Sequence, residues 1–412
     1  MTAHRRRADG QALLPISQSR PTHRQWTLPA AAHKLRSAPH LGYTDTGKMI
    51  DAVKRLAYFV EAHDDPTVNR MPSARPDLTV DRLTLGRDEE NWGKLARAHG
   101  YQVLSRTGAT HSPTGPDYFV TGALIERCPN LLVVAVGGAG YDQIDVDACT
   151  RAGVIVVNQS GAGREAVAEH AFGFMIALSK KIGAADRAIR RSANWQRTAF
   201  RGNDLLGKTV GIVGLGQIGS RLVELCSVFK MTVLAYDPYL SSAQIVARGG
   251  VKVGLDELLE RSDFVSLCSP LSNETSGMFG AREFAKMRRG AFFVTTARGG
   301  VHIEKALVEA LSSGHLGGAG LDVFEQEPPA PDNPLFGFDN VLATPHTAGI
   351  TVETSHTLCR ACAEQWVTTI DGQIPPRLIN PAAWPRYSDR YEELLGRRPE
   401  RLPHKKFRSS AE

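Results

Sequence analysis

Short apolar runs alternate with helical segments along this chain, and this alternation limits the possible fold more than any other feature. Six strand-like runs lie between residues 207 and 346. The helical stretches predicted between them are 218–229, 281–287 and 303–312. Two earlier runs, 131–136 and 153–158, are also β-branched and bounded by glycine, and a predicted helix at 165–182 follows them. Such an order is typical of parallel strands joined by helices, so we predict an α/β fold with a doubly wound parallel sheet.

The length of the chain predicts more than one hydrophobic core. At 412 residues it exceeds the roughly 250 to 300 residues at which single cores stop growing, so we expect two domains. Hydrophobic residues make up 42% and charged residues 22%, as in ordinary globular proteins. No run approaches the about 18 consecutive apolar residues that a membrane span needs, and we expect no membrane partner.

The net charge of +6 comes from the N-terminal end of the chain. Residues 1–40 contain seven Lys and Arg against Asp9 alone, and the rest of the chain balances 42 basic with 42 acidic residues. A protein that binds nucleic acid should carry its basic surplus on the folded part. We therefore expect no nucleic-acid partner.

Both ends of the chain are predicted to lie outside the folded body. Residues 1–45 lack hydrophobic periodicity and are expected to form a disordered extension. An Arg-rich, acid-poor start also fits an organellar transit peptide, although its prolines would interrupt an amphipathic helix. From Gly372 onwards we predict loop, with residues 386–412 as a C-terminal tail.

Six cysteines are too few for a disulfide framework, and we expect a reducing, cytoplasmic environment. Cys359 and Cys362 form one CxxC pair in a helical segment, where a zinc site would need two further ligands. We interpret them as buried thiols and expect no metal.

A glycine-rich turn follows the strand-like run that ends at Val213. Gly214 permits the tight turn, Gly216 lets backbone N–H groups approach a pyrophosphate, and Gly219 lets the next helix pack closely on the strand. The residues of this turn expected to contact a cofactor are Gly214, Gly216, Gln217, Ile218 and Gly219. Asp237 ends the next strand, eighteen residues beyond Gly219, where a carboxylate binds ribose hydroxyls and repels a 2′-phosphate. The pattern therefore predicts NAD as the cofactor.

Four dispersed motifs extend this prediction to a family. They are GGAGYDQIDVDA (137–148), GIVGLGQIG (211–219), TTARGG (295–300) through LDVFEQEP (321–328), and TPHTAG (344–349). Residues 131–175 and 207–350 resemble the D-isomer-specific 2-hydroxyacid dehydrogenase family, especially its phosphoglycerate-dehydrogenase-like members. The resemblance implies a Rossmann-type NAD-binding domain inserted into a split, flavodoxin-like substrate domain. The boundaries we predict are 46–160 and 347–385 for the substrate domain and 161–346 for the NAD-binding domain.

Three residues have the chemistry that hydride transfer from a 2-hydroxy acid requires. Arg298 supplies a planar fork for the substrate carboxylate, and His346 takes the hydroxyl proton or returns it in reduction. Glu327 is the expected partner of His346, because a bonded carboxylate fixes the imidazole tautomer and favours its protonated form. Each alone could be structural, but all three follow strands of the predicted sheet, where ligands bind in such folds. By resemblance they occupy the family's catalytic positions.

The resemblance implies further contacts. The residues expected near the cofactor are Ser269 and Pro270 on the adenine side, Thr296, Ala297 and Asp322 near the nicotinamide, Gly349 after the histidine, and also Arg298 and His346 themselves. Asp322 could instead cap a turn. Gly138, Ala139 and Gly140 are expected to offer backbone N–H groups to the substrate carboxylate, unless they form only a strand-to-helix turn. His170 is interpreted as structural.

The expected function is NAD-dependent oxidation of a D-2-hydroxy acid, or reduction of the 2-oxo acid, by a homodimer. The apolar helix 165–182 is either its dimer surface or a buried element. The alternative is an NAD-sensing corepressor. Arg106 and Arg151 are candidates for binding a phosphorylated substrate, and the segment before residue 100, without a clear apolar first strand, matches the family weakly.

Overall fold

Two parallel sheets organise the computed structural model of this chain, which describes residues 53–59, 72–103, 118–192 and 195–403. All of these belong to one unit, 49–412. The predicted extension, 1–45, and Arg106 lie outside the described residues. The predicted domain boundaries stay predictions.

The first sheet has five strands in the order β2-β1-β3-β4-β5, all parallel. They are β1 (Lys54–Phe59), β2 (Leu78–Leu83), β3 (Gly100–Val103), β4 (Val133–Val136) and β5 (Ile155–Val157). The helices between them are α1 (Asp88–Leu95), α2 (Gly122–Arg127) and α3 (Val146–Ala152). This order is that of flavodoxin-like folds, as predicted.

Three strands precede or begin at residue 100, although the sequence there shows no clear apolar first strand. Strand β1 begins with Lys54 and Arg55, and the edge strand β2 contains Asp81 and Arg82. Arg55 and Asp81 pair across the two strands at 3.7 Å. These charges interrupt the apolar pattern by which we identified the later strands.

The second sheet has seven parallel strands in the order β12-β11-β10-β9-β6-β7-β8. They are β6 (Thr209–Val213), β7 (Thr232–Tyr236), β8 (Val251–Lys252), β9 (Phe264–Leu267), β10 (Phe292–Thr295), β11 (Gly318–Leu321) and β12 (Val341–Ala343). Counted from its own first strand, this is the 3-2-1-4-5-6 order of dinucleotide-binding folds with a seventh strand added. The doubly wound sheet is therefore confirmed.

Helices cover this sheet and connect it to the first one. They are α4 (Arg164–Ser179), α5 (Ile182–Arg191), α6 (Gln217–Val228), α7 (Ser242–Val246), α8 (Leu255–Arg261), α9 (Ala281–Lys286), α10 (Glu304–Ser312) and α11 (Val352–Ile370). The apolar face of α4 packs on strands β10 and β11 and on α6, so its large side chains belong to the core and do not form a dimer surface. Helix α11 packs on the first sheet and buries Cys359 and Cys362, as predicted. Within the described ranges, no helix is both long enough and apolar enough to span a membrane.

The predicted tail at 386–412 is wrong for its first part, because Trp384–Leu395 forms a further helix, α12. Trp384, Tyr387 and Tyr391 are buried in the core of the first sheet beside Trp366. Their spacing of three and four residues is helical, and a proline at the start of a helix is well tolerated. The sequence therefore contains the helical spacing of these aromatic residues, but charged residues lie between them.

His302 predicts a pH dependence of stability. It is 1% exposed, its ring packs against Phe293, and neither ring nitrogen has a hydrogen-bond partner among the described residues. Burial lowers the pKa of His302 to about 4. Between pH 6.5 and pH 4 this histidine is protonated in the unfolded chain but neutral in the folded chain. The free energy of unfolding therefore falls by about 2 kcal/mol between pH 7 and pH 4.5.

Urea unfolding of His302→Phe at the two pH values measures this term. The variant should lose about 2 kcal/mol less than the parent, whereas His315→Gln, which changes a partly buried histidine that bonds the Met287 carbonyl, should behave like the parent. An unchanged pH dependence in His302→Phe would show that other groups cause the acid sensitivity.

Candidate active site

A cleft of about 760 Å³ lies where loops from the carboxyl ends of strands in both sheets meet. This is the place where ligands bind in open α/β sheets. The predicted site residues that line it are Gly138, Ala139, Gly140, Gly216, Gln217, Ile218, Thr296, Arg298, Asp322, Glu327, His346 and Gly349. Residues far apart in sequence thus share one cavity large enough for a cofactor and a small substrate.

The glycine-rich turn has the geometry that a pyrophosphate requires. Gly214 has φ +91°, and a Cβ on Gly219 would lie 2.2 Å from the Gly214 carbonyl oxygen. A Cβ on Gly216 would meet nothing within 4 Å, so the backbone is open to a ligand there. Helix α6 begins at Gln217 without a side-chain cap, which leaves its N-terminal N–H groups for an anion.

The remaining predicted cofactor residues lie around the cleft without lining it. Asp237 accepts hydrogen bonds from the backbone N–H groups of Leu215 and Tyr239 at 2.9 and 3.0 Å, which fixes its carboxylate beside the turn. Ser269 is buried and donates to the Val213 carbonyl at 3.2 Å. Pro270 is exposed. The carbonyl oxygen of Ala297 accepts a hydrogen bond from the Arg298 side chain. Contacts of these residues with a cofactor stay predictions.

Arg298 is held from both sides of the cleft. Its Nη1 donates to the Ala297 carbonyl at 2.7 Å, and its Nε donates to Asp142 Oδ2 at 3.1 Å. A Cβ on Gly140 would lie 1.7 Å from Nη2, so only glycine leaves room for the guanidinium there. Sequence reasoning missed Asp142, because no spacing relates it to an arginine 156 residues away.

His346 and Glu327 form the predicted pair. Nδ1 of His346 lies 2.8 Å from Glu327 Oε2, and the other carboxylate oxygen of Glu327 accepts from the Phe324 N–H at 3.1 Å. A carboxylate on Nδ1 keeps the proton of the neutral ring on that atom and leaves Nε2 as the atom that exchanges a proton with a ligand. His346 Nε2 has no hydrogen bond to the chain as described.

Asp322 holds the turn that presents His346. His346 has φ +55°, a conformation that costs free energy for a residue with a side chain. The Asp322 carboxylate accepts from Thr347 N at 2.8 Å, Ala348 N at 2.9 Å and Thr344 Oγ1 at 2.6 Å. The hydrogen bonds thus show Asp322 capping a turn, which was the alternative considered for it. Because Asp322 also lines the cleft, its contact with the cofactor stays a prediction.

Other residues considered from the sequence have other surroundings. His170 lies 3.0 Å from Thr344 Oγ1 and packs against Phe174, behind the turn and outside the cleft lining, in agreement with a structural role. Arg151 lies exposed in the last turn of α3 and does not line the cleft, so it is not a phosphate-binding candidate. Arg164 does line the cleft, and sequence reasoning did not identify it.

Known proteins are similar to this chain over most of the described residues. The sequence model described as "D-isomer specific 2-hydroxyacid dehydrogenase, NAD binding domain" matches residues 172–348. The chain is 40% identical over 253 residues to a D-3-phosphoglycerate dehydrogenase of Archaeoglobus fulgidus, covering 61% of this chain and 48% of that one. It is 39% identical over 264 residues to a glyoxylate reductase of Korarchaeum cryptofilum, covering 63% and 80%. The chain spans about half the length of the phosphoglycerate dehydrogenases that it matches.

Solved structures show the same fold. A glyoxylate reductase from Paecilomyes thermophila superimposes with a TM-score of 0.70 at 29% identity, covering 79% of this chain and 98% of that one. A D-lactate dehydrogenase from Aquifex aeolicus, solved with NAD and lactic acid, gives 0.67 at 26% identity with the same coverage. The resemblance drawn from the four motifs is thereby confirmed: this chain belongs to the D-isomer-specific 2-hydroxyacid dehydrogenase family and contains its NAD-binding domain.

Proposed function

We propose that this protein interconverts a D-2-hydroxy acid and its 2-oxo acid with NAD as the hydride carrier. The observation that carries the proposal is the meeting of Arg298, the His346–Glu327 pair and the glycine-rich turn in one cleft. A cation for a carboxylate, a proton-exchanging imidazole and a dinucleotide turn are the groups that this reaction needs. The names of the relatives, D-3-phosphoglycerate dehydrogenase and glyoxylate reductase, support this class of substrate.

Each side chain of the cleft has its own role in the proposed reaction. When bound, the nicotinamide ring supplies or accepts the hydride. Arg298 binds the substrate carboxylate through its guanidinium, beside the backbone of Gly138, Ala139 and Gly140. His346 gives a proton to the oxygen during reduction and takes it during oxidation, and Glu327 balances the charge that the ring then carries.

A panel of 2-oxo acids with NADH, followed by the nicotinamide absorbance, tests the proposal. The panel should include glyoxylate, pyruvate and hydroxypyruvate with and without a 3-phosphate. Turnover of at least one of them is expected. Tight NADH binding without turnover of any 2-oxo or D-2-hydroxy acid would favour the NAD-sensing alternative.

The choice of cofactor is a separate prediction. NADH should be preferred over NADPH by about tenfold or more in kcat/KM, because Asp237 is fixed beside the glycine-rich turn, where we expect the ribose, and a carboxylate there repels a 2′-phosphate. Asp237→Ala should narrow this ratio mainly by weakening NADH. Equal efficiency of the parent with both cofactors would contradict the assignment of Asp237.

We further propose a cytoplasmic homodimer. No disulfide joins the six cysteines, all of which lie in the described ranges, and this supports a reducing compartment. The helix α5 that follows the buried α4 exposes Ile182 and Ile189, which are 52% and 58% exposed and, seven residues apart, lie on one face of the helix. Exposed apolar side chains on one face favour a protein contact.

Light scattering tests the assembly. The parent should have the mass of two chains, and Ile189→Asp should shift it towards one chain, whereas Val246→Asp on another exposed helix should not. A parent that is monomeric at every concentration would refute the dimer.

A further inference from the structure

One cation in the cleft has no role in the reaction described above. Arg164 is the first residue of α4 and lines the cleft together with Gly161, Gln217 and Ile218. Its Nε donates to Glu165 at 3.2 Å, and its two terminal nitrogens form no hydrogen bond within the described parts of the chain. The side chain is 46% exposed, so a ligand in the cleft can reach it.

The neighbours of Arg164 place it at the start of α6. Glu165 also accepts from Arg221 Nε at 2.7 Å, and Arg221 lies one turn beyond Gln217 on α6. A Cβ on Gly161 would lie 3.9 Å from Gln217 Cγ. The N-terminal turns of α4 and α6 therefore lie side by side, and Gly216, just before α6, lines the same cleft as Arg164.

The charges of the cleft indicate what Arg164 binds. Among the described lining residues, two arginines, Arg164 and Arg298, stand against four carboxylates in the charge balance, and these are Asp142, Asp322, Glu325 and Glu327. An oxo acid brings one negative charge and a dinucleotide pyrophosphate brings two. Arg298 is engaged with the substrate end, and the turn 214–219 contains no Lys or Arg of its own. Partial charge at a helix N-terminus alone balances only about half an elementary charge.

We propose that Arg164 binds the pyrophosphate of the dinucleotide, reaching across from α4 to the turn at Gly216. The inference rests on the proposed use of NAD and adds a cationic contact that lies outside the glycine-rich motif. It follows that part of the affinity for the cofactor depends on charge pairing with a residue of the helix that connects the two sheets. This part should weaken with rising salt.

Binding of NADH, ADP-ribose and adenosine to the full chain, measured by calorimetry, tests the proposal without turnover. Arg164→Gln should weaken NADH and ADP-ribose by about tenfold or more, since a charge-assisted hydrogen bond is lost, and should leave adenosine unchanged. Arg164→Lys should retain part of the affinity. Arg190→Gln, which removes an exposed arginine paired with Asp186 on α5, is the matched control and should bind like the parent.

Glu165→Gln provides the second test. This change removes the carboxylate that accepts a hydrogen bond from Arg164 and competes with the cofactor for it. The affinity for NADH should therefore stay the same or rise. If Glu165→Gln weakens NADH as much as Arg164→Gln, or if adenosine and ADP-ribose weaken equally in Arg164→Gln, the effect comes from the fold of the helix end and the proposal fails. If the parent binds NADH and Arg164→Gln binds it equally well, only this inference fails, whereas a parent that binds no NADH overturns the proposed function as well.

Discussion

His346→Asn should lower kcat for reduction of a 2-oxo acid by about 100-fold or more while NADH affinity changes little. The proton donor is lost, and a positioned acid or base contributes on the order of 100- to 10,000-fold. Asparagine is the informative replacement, because it tolerates the left-handed backbone conformation that His346 adopts at φ +55°. The turn held by Asp322 is therefore retained, and steady-state kinetics with calorimetric NADH binding separate chemistry from binding.

Glu327→Gln shows whether the partner acts through charge. The amide keeps the shape of the side chain 2.8 Å from the ring but removes the negative charge that balances the charged imidazole formed when His346 takes the substrate proton. The kcat for oxidation of the hydroxy acid should fall while NADH affinity changes little, as steady-state kinetics and calorimetric binding measure. If His346→Asn abolishes activity and Glu327→Gln oxidises the hydroxy acid like the parent, some other group supports the histidine.

Arg298→Lys should lower kcat/KM for the oxo acid by about 100-fold, with a higher KM as well as a lower kcat. Lysine keeps the charge but loses the planar fork, together with the contacts of that fork to Asp142 and the Ala297 carbonyl. Kinetics over a range of oxo-acid concentrations measure both parameters.

Gly140→Ala tests the same site without changing a charge. The new methyl group would lie 1.7 Å from Nη2 of Arg298 and force the guanidinium away, so the variant should resemble Arg298→Lys. Gly93→Ala is a suitable control, because its Cβ would meet nothing within 4 Å. Parent-like kinetics in Gly140→Ala would show that Arg298 binds the substrate from another position.

The sequence predicts those parts of the fold that rest on local patterns. Six strands of the second sheet are recognisable because parallel strands buried on both faces are apolar throughout, whereas the exposed edge strand β8 (Val251–Lys252) was not predicted. The edge strand β2 and the aromatic side of α12 carry charges between their buried residues, so the same pattern is absent. For the site, His346, Glu327 and Arg298 were found because each lies in a motif.

Residues that act through distant contacts were not predictable in this way. Asp142 is recognisable as a partner of Arg298 only once both sheets are in place. The hydrogen bonds of Asp322 to the turn at 344–348 likewise depend on how β11 and β12 lie beside each other. Arg164 begins a helix, a position where an arginine has no special meaning until the neighbouring turn is known.

The contact between Arg298 and Asp142 also relates substrate binding to the width of the cleft. Asp142 follows a strand of the first sheet and Arg298 follows a strand of the second, so this hydrogen bond exists only while the two loops stay within bonding distance. Any widening of the cleft releases the guanidinium from Asp142 and separates it from the loop 138–140. In the proposed reaction, Arg298 and that loop would then no longer hold the carboxylate of one oxo acid together.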